Sequence, residues 1–210
     1  MKNLAILGNS GHGRTVADVA LLEGWSRIEF YDDANSGFPD GVDIELMGNS
    51  AALVKNLSKY DGVFIGIGNC RTRMEKQREF KKEGVELVTI IHPECFVSSS
   101  VKLGSGVVVM AGAVINAGVV IGNGCIVNSG AIVEHDCNVA EAVHIAPNAV
   151  LLGNVDVGQC SWIGASSTVL QNVEIGSYVT VGAGAVVRSS VTDSQTVIGI
   201  PAKPLVYQSK

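Results

Sequence analysis

The chain has 210 residues, of which 47% are hydrophobic, 5% are aromatic and 25 are glycine, and its formal net charge is −5. This composition indicates many short turns between aliphatic strands, and the length allows two small domains. The negative charge and the absence of any Lys/Arg run argue against nucleic acid or an anionic membrane as a partner. No apolar stretch approaches the roughly 18 residues that cross a bilayer, and the apolar run after Met1 is too short for a secretory signal. We therefore expect a cytoplasmic protein.

The first ninety residues predict a small α/β domain. Residues 4–7 read as a buried strand, and further strands are predicted at 28–31, 63–67 and 87–91. Amphipathic helices are expected from Arg14 to about Glu23 and from about Thr72 to Glu83. Because strands alternate with helices, the sheet should be mostly parallel and Rossmann-like. Pro93 marks the predicted boundary, which gives a nucleotide-sugar-binding domain at 1–92 and a second domain at 93–210.

A glycine-rich turn, residues 8–13, follows the first strand. Strand, glycine turn and helix form the arrangement in which free N–H groups at a helix start attract phosphate. The spacing G-x-x-G-x-G differs from the dinucleotide pattern G-x-G-x-x-G, so a mononucleotide or a nucleotide-sugar fits better than NAD. Asp32 and Asp33 end the second strand about 20 residues further on, where a carboxylate can bond ribose or base. The alternative is that both merely cap a loop.

The second half of the chain has a period of six. From Leu103 to Val187 every sixth residue is aliphatic, and a second register of small or compact residues runs beside it from Val107 to Val191. This period fits neither an α-helix nor a lone strand, and it is typical of a parallel β-helix in which three hexads form one triangular coil. Gly, Asn or Asp at the corners is expected to accept the turn angles. The series supplies five coils.

The five cysteines lack any C-x-x-C pair and should be small buried thiols in a reducing compartment. They are Cys70, Cys95, Cys125, Cys137 and Cys160.

Three segments carry a resemblance to a known family: the turn at 8–13 with Asp32 and Asp33, the run Val133-Glu134-His135-Asp136-Cys137, and Gly199-Ile200-Pro201-Ala202-Lys203-Pro204. Together they resemble the hexapeptide-repeat acetyltransferases that join a nucleotide-sugar domain to a β-helix, including UDP-4-amino-4,6-dideoxy-sugar N-acetyltransferases and sialic acid O-acetyltransferases. The resemblance implies a left-handed β-helix, acetyl-CoA as co-substrate, and a homotrimer with active sites between protomers.

The resemblance also implies roles for individual residues. His135 corresponds to the general base and Asp136 to the acidic residue that supports it, although Asp has a shorter arm than the commoner Glu. Imidazole suits this role, because its ordinary pKa lies near neutral pH. The implied substrate contacts are Ser10, Gly11, His12, Asp32, Asp33 and Gly68. The implied coenzyme contacts are His144, Ala165 and Ala183, while a purely structural role for His144 stays open. An oxyanion donor is expected at the backbone N–H of Gly153.

The same residues are compatible with other functions. A zinc site like that of γ-class carbonic anhydrases needs three histidines, and the repeats contain only His135 and His144, so we expect no metal. The favoured function is N-acetylation of the 4-amino group of a nucleotide-linked 4-amino-4,6-dideoxy sugar, with UDP as the expected nucleotide. The alternatives are O-acetylation of sialic acid or another sugar, and a non-catalytic protein that only binds a nucleotide-sugar.

Overall fold

The computed structural model describes residues 2–34 and 46–205. Residues 206–210 of the predicted C-terminal tail lie outside the described residues. The chain divides into two compact units, Met1–Pro93 and Glu94–Lys210, which are described separately below. No helix within the described ranges is long and apolar enough to cross a membrane.

The first unit contains a three-stranded parallel sheet of order β2-β1-β3, so the predicted parallel α/β arrangement is confirmed. Its strands are β1 (Asn3–Leu7), β2 (Arg27–Tyr31) and β3 (Gly62–Ile65), and a short strand β4 follows at Ile90–Ile91. Its helices are α1 (Gly11–Leu22), α2 (Ser50–Lys55) and α3 (Cys70–Lys82), with a 3-10 turn at Leu57–Lys59.

Three details of the first unit differ from the sequence prediction. Helix α1 begins at Gly11 rather than Arg14, because the Arg14 N–H already donates to the Ser10 carbonyl at 3.1 Å and closes a first turn over residues 11–13. The short helix α2 was not predicted, and its start is capped by the Asn49 side chain, which accepts from the Ala52 N–H at 2.9 Å. The predicted strand at 87–91 is reduced to Ile90–Ile91, with Leu87 forming one isolated bridge to Val63.

The second unit is a parallel β-helix of about six turns, so the predicted β-helix is confirmed. Its first face consists of Phe96–Val97, Val114–Ile115, Ile132–Val133, Val150–Leu151, Thr168–Val169 and Val186–Val187. Its second face consists of Lys102–Leu103, Val120–Ile121, Asn138–Val139, Asp156–Val157 and Glu174–Ile175. Its third face contains Val108–Val109, Ile126–Val127, His144–Ile145, Trp162–Ile163, Thr180–Val181 and Thr196–Ile198.

The predicted interior series is confirmed from Val109 to Val187, since every aliphatic residue of the period there is buried and so is every member of the second register. Leu103, with which the predicted series starts, is only partly buried. The count of five coils is too low. The first coil begins at Phe96–Val97, ahead of Leu103, the first residue of the predicted series. The last coil includes Val191 and Val197, which pair with the coil before them. The six-residue period ends there, because Asp193, six residues after Val187, is polar rather than aliphatic.

The corners have a regular backbone. A positive φ recurs at every sixth residue from Gly106 to Gly184, always between 55° and 75°. From Asp136 to Tyr178 these positions carry side chains, among them Ala142 and Cys160, which the sequence did not mark as turn residues. A residue with a Cβ in this conformation costs roughly 1 kcal/mol or more. The hydrogen-bonded coils on either side therefore hold these corners in place.

Candidate functional site

His135 and Asp136 occupy the corner where the first face turns into the second. The two side chains contact each other, with His135 Nδ1 2.9 Å from Asp136 Oδ2. Both side chains are open to solvent, at 62% and 67% exposure. The shorter arm of Asp thus still reaches the imidazole. A proton on Nδ1 donates to the carboxylate and leaves the lone pair of Nε2 available as a base.

Neighbouring coils fix the backbone of this pair. The Asp136 N–H donates to the Ala117 carbonyl at 3.0 Å, and the His135 carbonyl accepts from the Asn154 N–H at 2.9 Å. Gly153 lies one coil beyond His135, and a Cβ on Gly153 would be 2.6 Å from Cε1 and 2.7 Å from Nε2 of the ring. The imidazole therefore packs directly on Gly153, so a side chain at position 153 would displace the ring, and the structure brings His135, Asp136 and Gly153 together.

His144 lies on the third face, across the prism from the His135 corner. It is buried, its Nε2 is 3.0 Å from the Asn128 amide nitrogen, and its ring contacts Trp162 in a tilted arrangement, with 4.2 Å between centroids and 56° between the ring planes. His144 and His135 of the same chain are therefore not brought together. The sequence analysis did not identify Asn128 and Trp162 as neighbours of His144. Trp162 follows His144 by 18 residues, which is one full coil, and Asn128 precedes it by 16 residues.

Ala165 and Ala183 stack at a different corner, where the third face turns into the first. The coils that carry them are joined there by a backbone hydrogen bond, from the N–H of Gly184, which follows Ala183, to the Ala165 carbonyl at 2.8 Å. Within one chain the predicted coenzyme residues thus fall into three places: Gly153 beside His135, His144 on the third face, and the two alanines at this second corner.

The first unit has a cleft at the carboxyl ends of its parallel strands. Its volume is about 290 Å³, and its lining includes Ser10, Asp32 and Asp33 together with Thr72 and Lys76. The Ser10 side chain makes no capping hydrogen bond to α1. The cleft lies beside the start of α1, where backbone N–H groups favour an anion. Three of the predicted substrate residues therefore line one cleft.

Both aspartates of this cleft already have protein partners. Asp32 accepts from the Asn9 N–H at 2.9 Å and from the Ala34 N–H at 2.7 Å. Asp33 pairs with Lys76 at 2.7 Å and accepts from the Ser50 N–H at 2.7 Å. Burial alone would raise the pKa of Asp33, but the hydrogen bonds from Lys76 and Ser50 outweigh it and lower that pKa. These contacts favour the alternative that both aspartates stabilise the surrounding loops. The sequence analysis did not identify Lys76 as part of this cleft.

The glycines of the first unit serve two purposes. Gly8, Gly13 and Gly66 pack backbone against backbone, since a Cβ on Gly13 would be 2.0 Å from the Gly8 carbonyl oxygen and one on Gly66 would be 2.9 Å from the Gly13 Cα. Gly11 and Gly68 have no such neighbour, and the nearest atoms to an added Cβ are 4.0 Å and 3.9 Å away. Among these five glycines, Gly11 and Gly68 thus leave their backbone open to a ligand.

His12 lies in the first turn of α1, near the fully buried Arg73. Burial, and then the Arg73 charge, lower the pKa of His12 to about 4. The Arg73 guanidinium donates to the Ile67 and Gly68 carbonyls at 2.9 Å and 2.7 Å, which fixes the turn before α3. His12 is therefore neutral at neutral pH, and Arg73 is a further residue that sequence reasoning missed.

No group of three or more His, Cys, Asp or Glu side chains suited to a metal ion occurs within residues 2–34 and 46–205. All five cysteines are thiols, four of them buried and Cys95 partly so.

Both units of the chain match known protein families. Residues 3–80 match the family model of the PglD N-terminal domain, and residues 100–135 and 154–189 match that of the bacterial transferase hexapeptide. The acetyltransferase domain of PglB from Neisseria gonorrhoeae, solved with acetyl coenzyme A, is 40% identical, with a TM-score of 0.91 over 97% of this chain and 99% of that one. The chain belongs to the hexapeptide-repeat sugar acetyltransferases with a PglD-type N-terminal domain.

Two more members of these acetyltransferases match. PerB from Caulobacter crescentus, solved with CoA and GDP-perosamine, is 36% identical, with a TM-score of 0.91 over 98% of each chain. The UDP-N-acetylbacillosamine N-acetyltransferase of Bacillus subtilis is 34% identical over 115 residues. That match spans 53% of this chain and about half, 52%, of the curated protein.

Proposed function

We propose that this chain transfers an acetyl group from acetyl-CoA to the 4-amino group of a UDP-linked 4-amino-4,6-dideoxy sugar, with His135 as general base. The observation that carries the proposal is the His135–Asp136 contact of 2.9 Å at an open corner of the β-helix. Similarity to a UDP-sugar enzyme and to proteins solved with acetyl-CoA or with CoA and an amino-sugar nucleotide supports it.

The proposed reaction is a direct transfer. The sugar amine attacks the thioester carbon, a C–N bond forms, and the C–S bond breaks to release CoA. The amine gives its proton to Nε2 of His135, Asp136 stabilises the imidazolium that results, and the proton then passes to the departing CoA thiolate, which leaves as the free thiol and regenerates the base. The Gly153 N–H is the proposed donor to the thioester oxygen as negative charge develops there. This mechanism requires neither an acetylated enzyme nor a metal.

In this proposal the first unit binds the nucleotide. The start of α1 and the open backbone of Gly11 and Gly68 would receive the diphosphate, with Ser10 and neutral His12 as hydrogen-bonding groups. Asp32 and Asp33 would shape the cleft for ribose and base, since their carboxylates hold the surrounding loops. A cytoplasmic location, where acetyl-CoA is available, stays a prediction.

We also propose a homotrimer. The outward residues of the first face form a ladder without charge, in the order Phe96, Val114, Ile132, Val150, Thr168 and Val186, whereas the second face presents Lys102, Asp156 and Glu174. Phe96 is 56% exposed, so a partner copy would bury apolar surface there. Such packing is also what would bring coenzyme residues of one chain to the His135 corner of another.

The test is a purified-protein assay with acetyl-CoA and a panel of acceptors: UDP-, GDP- and dTDP-linked 4-amino sugars, and sialic acid as a hydroxyl acceptor. We expect thiol release with the UDP-linked amine at a kcat/KM at least roughly tenfold above the others. His135→Ala should lower turnover by about 10²-fold or more with little change in coenzyme Kd. Turnover of hydroxyl acceptors alone, or nucleotide-sugar binding without thiol release, would contradict the proposal.

A further inference from the structure

Gly118 lies one coil before Asp136, at the same corner of the β-helix. The Asp136 N–H bonds to the Ala117 carbonyl, so Gly118 is held directly beside the aspartate. A Cβ on Gly118 would be 2.5 Å from Asp136 Oδ1 and 3.6 Å from its Cγ. The carboxylate that contacts His135 therefore occupies space that any side chain at position 118 would take.

The corner around Gly118 is itself fixed. The Gly118 N–H donates to the Ser100 hydroxyl at 3.0 Å, and the residue adopts a φ of 75°. The backbone cannot easily move away from Asp136, because the next coil is hydrogen-bonded to it on the same corner. The Asp136 carboxylate, in contrast, is the end of an exposed side chain, and it can rotate.

We infer that Gly118 is a positioning residue for the His135–Asp136 pair: its missing side chain is what allows Oδ2 of Asp136 to face Nδ1 of His135. An added Cβ would be relieved by rotation of the carboxylate rather than by unfolding of the coil. The ring would then lose the acceptor that keeps its proton on Nδ1. The expected effect therefore falls on the base and leaves the fold largely intact. The consequence for turnover rests on the function proposed above.

The variant to test is Gly118→Ala, with Gly112→Ala as its matched control. Gly112 has a φ of 68° in the same repeat position, but the nearest atom to an added Cβ is 3.9 Å away. Both substitutions thus carry the same backbone penalty, and only one reaches a functional side chain. Gly118→Asn serves as a second variant, because Asn148, Asn154 and Asn172 already adopt this conformation in later coils.

The direct measurement is the ¹⁵N NMR spectrum of the His135 ring in the full-length protein, assigned with His135→Ala among the four histidines. The wild type and Gly112→Ala should show a proton held on Nδ1 and a free Nε2, whereas Gly118→Ala should show a mixture of tautomers. In the transfer assay Gly118→Ala should lower kcat about tenfold with KM for acetyl-CoA unchanged, as expected for one lost charge-assisted hydrogen bond to the base.

Several outcomes would overturn the inference. An unchanged tautomer in both Gly118 variants would do so, as would equal losses of kcat in Gly118→Ala and Gly112→Ala. If Gly118→Ala does not fold, Gly118→Asn decides by the same spectrum. If the wild type transfers no acetyl group to any acceptor, the proposed function fails, and the tautomer measurement alone still decides the role of Gly118.

Discussion

Gly153→Ala is the most informative single substitution, because the structure fixes both the direction and the size of its effect. The three atoms nearest to the added Cβ all belong to the His135 ring, at 2.6, 2.7 and 3.3 Å. Ordinary carbon contacts lie at about 3.5–4.0 Å, so the ring edge must retreat by about 1 Å. A displacement of this size at a reacting group costs roughly 10²-fold in rate, or about 3 kcal/mol in the barrier.

The same geometry predicts little loss of stability from Gly153→Ala. The ring is mostly exposed, so it can move without opening a cavity, and the free energy of unfolding should change by less than about 1 kcal/mol. Thermal unfolding and steady-state thiol release on the same preparation measure the two effects. We expect kcat to fall about 10²-fold and the coenzyme Kd to stay within about threefold of the wild type.

A double-mutant cycle with His135→Ala supplies the control. If the added methyl group acts through the imidazole, Gly153→Ala should have almost no further effect once the ring is gone. Wild-type kcat in Gly153→Ala would refute the reasoning. An equal loss in the His135→Ala background would also refute it, by showing that Gly153 acts on the coenzyme alone.

Three further predictions follow from groups outside that corner. Because the pKa of His12 is lowered to about 4, the unfolded state binds the extra proton as pH falls below about 6.5. The free energy of unfolding should therefore fall by about 3 kcal/mol between pH 6.5 and pH 4. His12→Asn should remove this pH-dependent loss, as measured by urea unfolding at several pH values. The same dependence of the free energy of unfolding on pH in both proteins would refute the prediction. Ile132→Glu should convert trimers to monomers in sedimentation velocity, because a charge would be buried on the first face. Asn138→Glu on the second face should leave the trimer intact. A trimeric Ile132→Glu variant would contradict the proposed interface. Lys76→Met should weaken UDP binding about threefold by calorimetry, since it removes a positive charge beside the cleft and frees Asp33. Lys82→Met on the same helix should bind as the wild type does, and equal affinities in both variants would remove Lys76 from the site.

The β-helix could be predicted well from sequence because each hexad repeats the same rule: one residue points inward, as at Val109 and Ile115, and its neighbour points outward. The ends could not, because the rule stops where Asp193 replaces the next aliphatic residue and a hairpin of Thr196–Ile198 with Lys203–Pro204 takes over. The corner residues Ala142 and Cys160 were not recognised as turn positions, because neither prefers a positive φ and only the surrounding coils impose it.

The site could be predicted in part. The order Glu134-His135-Asp136 predicted the paired His135 and Asp136, which the structure places in contact. Gly153 was predicted only as a backbone donor, and the 18-residue repeat could also have placed Gly153 beside His135 and Gly118 beside Asp136. The roles of Asp32 and Asp33 could not be read in the same way. Ser50 and Lys76, the partners of Asp33, lie far along the chain, and a pair of carboxylates looks the same whether it binds a ligand or holds a loop.

The stacked coils also restrict how such a chain can change in length. His135 meets Gly153, and Asp136 meets Gly118, only because each pair is separated by one full turn of the prism. A single residue inserted between them would carry the imidazole off its glycine and turn inward-facing side chains outward. Length variation within the prism is therefore tolerable in whole turns, or as loops that bulge from a corner away from His135.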